Sequence, residues 1–229
     1  MREHHLHLPK FRYINYLGIV ILLGLVTSGM FIVKKVNKEY AVRSIAGKFQ
    51  EFKYATLSFN NVYSGLPGDI TNASFYWKDI AKDGNGNRRV EHESGEGINA
   101  FQQMELAGMI RLTNHMTGRW DTSKGEGVLV PAVNVPDIRD KKTGYFFSYS
   151  DNLGINVFGL GEANDKPGIF TEPALTPNDA YTLDLMIDDG YPEKGNVIAV
   201  THDSSDDCFA VGEYKKEAER KECLLLFKL

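Results

Sequence analysis

His202, Asp203, Asp206 and Asp207 place an imidazole and three carboxylates within six residues, and Asp203, Asp206 and Asp207 are the oxygen ligands that a hard cation such as calcium prefers. A solvated acidic loop is the competing reading. Asp83, Asn85 and Asn87 repeat oxygen donors at alternate positions. The calcium-loop pattern they begin, however, has Arg88 where its sharp turn needs Gly and Ser94 where it needs a bidentate Glu. That segment reads as a turn. Cys208 and Cys223, the two cysteines, suit one disulfide made in an exported, oxidising compartment, or else two buried thiols. A disulfide closing that loop would stabilise the fold by roughly 3 kcal/mol in the chain-entropy account.

Catalysis has little to build on. No G-x-S-x-G, H-E-x-x-H, C-x-x-C or Walker A pattern occurs. Gly159 and Gly161 begin a dinucleotide fingerprint that fails at its third position, Asn164. The expectation is a chain that is not an enzyme and holds no cofactor beyond a possible calcium ion. Asn72-Ala73-Ser74 has the pattern of a glycosylation acceptor. His4, His5 and His7 lie in a polar leader and read as solvated side chains.

The elements that must position these residues begin with a membrane candidate. Residues 13–33 carry no charge and are mostly Ile, Leu, Val, Gly, Phe and Met, enough helix to cross a hydrocarbon core of roughly 30 Å. A cleavable secretory signal is the alternative, but the apolar stretch exceeds the usual signal core and the helical pattern continues beyond it. Val42, Ile45, Phe49, Phe52, Thr56, Phe59 and Tyr63 then recur in steps of three and four, one stripe of an amphipathic helix. Lys38, Glu39, Arg43, Lys48, Glu51 and Lys53 fall on its other side. A coiled-coil stalk is the plainer possibility, yet Phe and Tyr are too bulky for an ideal two-stranded seam and suit docking on a sheet. Residues 1–60 hold nine basic and three acidic side chains, so the remainder is acidic and argues against a nucleic-acid partner. A mean hydropathy below zero excludes a polytopic membrane protein.

YSGLPGD at 63–69, NASFYW at 72–77, DGNGN at 83–87, FQQMELAGMI at 101–110, ALTPNDAYTLDLMIDDGYPEKG at 174–195 and the ending CLLLFKL at 223–229 follow one another in a telling order. In this succession the chain resembles the type IV pilin and type II secretion pseudopilin family, in particular subunits whose long N-terminal helix runs into a Y-x-x-L-P-G-D turn. The resemblance covers nearly the whole chain. It implies a filament subunit whose apolar helix packs with those of its neighbours, with a C-terminal disulfide and, as in some major pseudopilins, calcium in the C-terminal loops. The chain departs from the family at the processing site. Lys10 stands where members carry Gly before the cleavage point, Phe11 is the residue that would be methylated, and Asn15 replaces a buried Glu. Asn15 can bond between helices but supplies no charge.

The sequence therefore predicts an α+β protein: a long transmembrane-plus-amphipathic N-terminal helix packed on an antiparallel sheet head, in the pilin-like manner. Its parts would be a basic leader at 1–12, a transmembrane helix at 13–34, an amphipathic continuation at 35–64 and an exported head at 65–229. Within the head, 96–113 and a segment capped by Thr176 with Pro177 at the first position read as helices, the latter stopped by Gly190. Strands are expected at 127–135, 143–150, 153–160, 196–201 and 223–228, with Asp151-Asn152 as a hairpin turn. Expected partners are other pilin-like subunits, the bacterial inner membrane and an assembly machinery, with Leu22 and Leu25 among the assembly residues and the head in the periplasm or on the cell surface. An anchored binding or sensor domain that never polymerises is the other class of function.

Overall fold

Pro9 and Pro67 bracket a proline-free stretch, and between them the chain forms α1 (Lys10–Tyr63). The computed structural model describes residues 10–112, 128–138, 140–166, 168–201 and 207–229, with side chains from residue 19 onward. The chain divides into two compact units, Met1–Ala41 and Val42–Leu229.

In the first unit, every residue from 19 to 41 is exposed. The polar side chains of its apolar stretch bond inward: Thr27 Oγ1 and Ser28 Oγ both donate to the carbonyl of Gly24, at 3.0 and 2.7 Å. Such local pairing satisfies the hydroxyls within the helix itself.

In the second unit, α1 contributes the stripe foreseen from spacing. Val42, Ile45, Phe49, Phe52, Thr56 and Phe59 are buried, joined by Ala55, and Tyr63 is half-buried. Each fully buried phenylalanine contributes about 2 kcal/mol of transfer free energy. The stripe lies on a four-stranded antiparallel sheet ordered β1-β2-β6-β3, made of β1 (Thr143–Ser150), β2 (Ile155–Glu162), β3 (Val197–Thr201) and β6 (Cys223–Lys228). β4 (Phe209–Ala210) and β5 (Glu213–Tyr214) pair as a small separate ribbon. The helices beyond α1 are α2 (Ala73–Trp77), continued by a 3₁₀ turn at Lys78–Ile80, then α3 (Glu96–Leu106) and α4 (Pro177–Ile187).

Alternation along β1 sorts its two faces. Tyr145 and Phe147 point toward the helices: the Phe52 ring lies 5.2 Å from Tyr145 and 5.3 Å from Phe101 of α3, and Phe147 stacks on Phe158 at 4.3 Å. Phe146 points the other way and pairs across the strands with Gly159. A Cβ at Gly159 would run into the Phe146 ring, and one at Gly161 would come within 2.5 Å of Phe170 Cβ. The Gly-x-Gly pair therefore makes room for two aromatic rings and has no part in a phosphate loop.

Several elements differ from expectation. α3 stops at Leu106, short of residue 113, because Gly108 takes a left-handed φ of 71°. The expected strand at 127–135 is not a strand over its described part. Asn134 turns it back on itself, its side chain accepting from Val130 N at 2.7 Å and donating to the Val128 carbonyl at 3.0 Å. β2 begins two residues later than expected, since the hairpin takes the four residues 151–154, with Gly154 at φ 67° and its N–H donating to the Ser150 carbonyl at 2.8 Å. α4 is capped as read, Thr176 Oγ1 accepting from Asp179 N at 3.2 Å. It ends at Ile187, before Gly190.

Candidate functional site

The apolar part of α1 is the first candidate. Leu22 and Leu25 are 64% and 67% exposed, and Phe31 is 72% exposed. The helix is long and apolar enough to cross a membrane, and none of its most apolar window is buried. A core helix of a soluble protein would bury such residues. Lys10, Phe11 and Asn15, the processing and assembly positions, fall in the first turns of α1.

At its C-terminal end α1 is halted by Ser64, in the left-handed region at φ 59°, whose N–H donates to the Asn60 carbonyl at 2.9 Å. The Leu66-Pro67-Gly68-Asp69 turn then organises the next twenty-odd residues. Gly68 adopts φ 86°, and a Cβ there would strike the Glu96 carbonyl. Its N–H donates to Gln103 Oε1 at 2.7 Å, and Gln103 Nε2 donates to the Lys82 carbonyl at 3.0 Å. Buried Asp69 accepts from the backbone N–H groups of Asn87 and Arg88 at 3.1 and 2.8 Å. Buried Glu96 accepts from Asn85 N and Glu91 N at 3.1 and 2.9 Å. Burial raises the Glu96 pKa, the nearby Asp69 and Glu91 charges add to the rise, and the two backbone donors oppose it. Asp83, Asn85 and Asn87 are occupied within this loop: Asp83 accepts from Ser74 N and Oγ, while both asparagine amides donate to Glu91. The turn reading of that segment accounts for all three.

The third candidate is the C-terminal loop. Cys208 and Cys223 are both buried and form a disulfide. Of the expected calcium ligands, Asp203 and Asp206 lie outside the described residues, as does His202. Asp207 is exposed, with an oxygen 4.0 Å from Lys215 Nζ. Asp188-Asp189-Gly190 reads from the sequence as the close of a helix and not as a ligand set; what that reading missed is Asp184, whose oxygens lie with those of Asp188 and Asp189 within 4.8 Å of one another. Each is committed to the chain: Asp184 accepts from Tyr214 Oη and Gly190 N, Asp188 from Asn196 N, and Asp189 from Tyr191 N. Together they close the end of α4. Burial pushes the Asp184 carboxyl up to about 6 against the lowering effect of its two donors, and the adjacent Asp189 and Asp188 charges raise it further. The tyrosine that reaches it lies thirty residues on, so only the fold reveals the pair.

Comparison with known proteins brings no match from any protein-family model, curated sequence or solved structure.

Proposed function

We propose that the chain is a structural subunit of pilin type, a pilin-like protein or pseudopilin of a type IV pilus or type II secretion filament, and not an enzyme. It would be held in the bacterial inner membrane by the apolar part of α1, its head in the periplasm or on the cell surface. The observation that carries this proposal is the change of character along α1. Residues 19–41 are exposed, whereas one face from Val42 to Phe59 is buried against an antiparallel sheet. The Cys208–Cys223 disulfide supports export of the head.

On this proposal the exposed apolar residues meet acyl chains before assembly and the helices of neighbouring subunits after it. Leaving the bilayer then exposes no apolar surface to water, and helix association rests on packing. Energy would come from a separate assembly ATPase, since the chain has no Walker A pattern. On the same proposal, calcium held by Asp203, Asp206 and Asp207 would stabilise the head.

Lys10 and Asn15 favour a second reading. Without the Gly and Glu that family members carry there, an anchored binding or sensor domain that does not polymerise fits equally well at those two positions. Leu22→Arg and Leu25→Arg separate the two. Under the filament proposal each leaves the disulfide-bonded head folded and abolishes recovery in sheared filaments; unchanged filament yield overturns it. Intact-mass measurement adds an independent check. A mature chain starting at a methylated Phe11 indicates processing, and one starting near Met30 indicates a cleaved secretory signal instead.

A further inference from the structure

A cavity of about 590 Å³ opens where α1 ends, bordered by Asn60, Tyr63, Ser64, Asp69, Asn72 and Arg88. That volume lies within the range of small-molecule sites. Among the described residues, the Asn60 and Asn72 amides, the Tyr63 and Ser64 hydroxyls and the Arg88 guanidinium have no side-chain hydrogen-bond partner. Asp69, the carboxylate at the cavity, is already engaged by Asn87 N and Arg88 N. Formal charge at the wall cancels between Asp69 and Arg88. The Tyr63 ring continues outward into an aromatic ledge, meeting Tyr76 edge-on at 4.9 Å, and Tyr76 meets Phe75 edge-on at 5.3 Å. Phe75 is 79% exposed and Tyr76 44% exposed, so this ledge gives up the burial that would otherwise stabilise the fold.

These features select among ligand classes. An anion would face the Asp69 carboxylate and the carbonyl end of α1. A cation would face Arg88. A purely apolar ligand would strand two amides and two hydroxyls. A polyhydroxylated neutral ring satisfies the whole set: its hydroxyls both donate and accept, as primary amides do. Its C–H face can lie on an aromatic ring that is apolar in body and polar at its edge.

We propose that the cavity and its aromatic ledge bind a neutral oligosaccharide, with ring faces against Tyr63, Tyr76 or Phe75 and hydroxyls paired to Asn60, Asn72, Ser64 and Arg88. The site lies wholly within Val42–Leu229 and does not depend on polymerisation. Trp77, whose ring centre is 5.2 Å from that of Tyr63, reports occupancy. The full-length chain, solubilised in a detergent without a sugar headgroup, is titrated with chitotriose, with maltotriose and with inorganic phosphate, read by calorimetry and tryptophan fluorescence. Saturable binding of at least one trisaccharide is expected. An Asn60→Ala/Asn72→Ala double variant and a Phe75→Ala variant should each weaken it at least about tenfold, equivalent to about 1.4 kcal/mol. Their melting temperatures should match the parent's, because the side chains removed are exposed. Absence of saturation by either sugar to about 10 mM, a constant too weak to serve as recognition, overturns the proposal. So does sugar binding indifferent to the variants, or binding of phosphate alone.

Discussion

Tyr214 Oη donates to Asp184 Oδ2 at 2.8 Å, tying the ribbon inside the disulfide-closed loop to a buried carboxyl in the last turn of α4. The carboxyl in this pair has its pKa raised from 3.8 to about 6, chiefly by burial. The folded state therefore holds a proton that the unfolded chain releases near pH 3.8. The resulting stabilisation is fully present below that pH, declines as pH rises toward 6 and is gone above it. Asp184→Asn, neutral throughout and able to bond both partners, should flatten this part of the profile. The measurement is the melting temperature of both proteins from pH 4 to 7; parallel curves would show that Asp184 is not the titrating group.

Reduction of the disulfide should act on the same corner of the head. Cys208 and Cys223 are fifteen residues apart in sequence, a separation for which chain entropy gives about 3 kcal/mol. The Cys208→Ser/Cys223→Ser variant should unfold at correspondingly lower urea, with the loss compounded by two hydroxyls in a buried place. Equal midpoints for oxidised and reduced protein would contradict this.

What could be read from the sequence followed periodicity and punctuation. The stripe from Val42 to Phe59 is visible because helical spacing survives any packing partner, and β1 and β6 have the expected bounds, with Lys142 and Asp151 flanking β1 and Glu222 preceding β6. The cap at Thr176 was a local matter of a hydroxyl and a proline. Residues 128–135 misled because Val, Leu and Pro there are buried by a turn that Asn134 holds together, and side-chain-to-backbone bonding leaves no periodic trace. Asp69, Glu96 and Gln103 were legible only as a turn residue and helix members. Their work of binding the backbone of 82–91 depends on contacts that sequence distance conceals.

Gly159 provides a test of how the sheet is packed. Its missing side chain is the space filled by the Phe146 ring, which a Cβ would overlap. Gly159→Ala should therefore cost about 1–3 kcal/mol by overpacking, although alanine is otherwise tolerated in strands. Combining it with Phe146→Leu should recover part of the loss. Additive losses in the double variant would mean that the two positions do not compete for the same volume.

Asp69 allows the turn after α1 to be tested as an organiser. Its two oxygens accept from Asn87 N and Arg88 N, and its own carbonyl accepts from Gly86 N at 2.8 Å. Asp69→Ala removes the side-chain acceptors but leaves the donors in place; Asn87 N keeps Asn85 Oδ1 at 3.0 Å and Arg88 N loses its acceptor in an exposed stretch, so the cost should be about 1 kcal/mol. Asp69→Asn keeps one acceptor oxygen and lowers the charge beside Glu96, whose pKa the Asp69 carboxylate helps to raise. The asparagine variant should therefore lose less stability than the alanine variant. Hydrogen exchange should show the amides of 85–91 opening faster in Asp69→Ala while those of β1 and β2 keep their protection. Uniform acceleration across the head would mean instead that Asp69 supports the core as a whole and not this loop in particular.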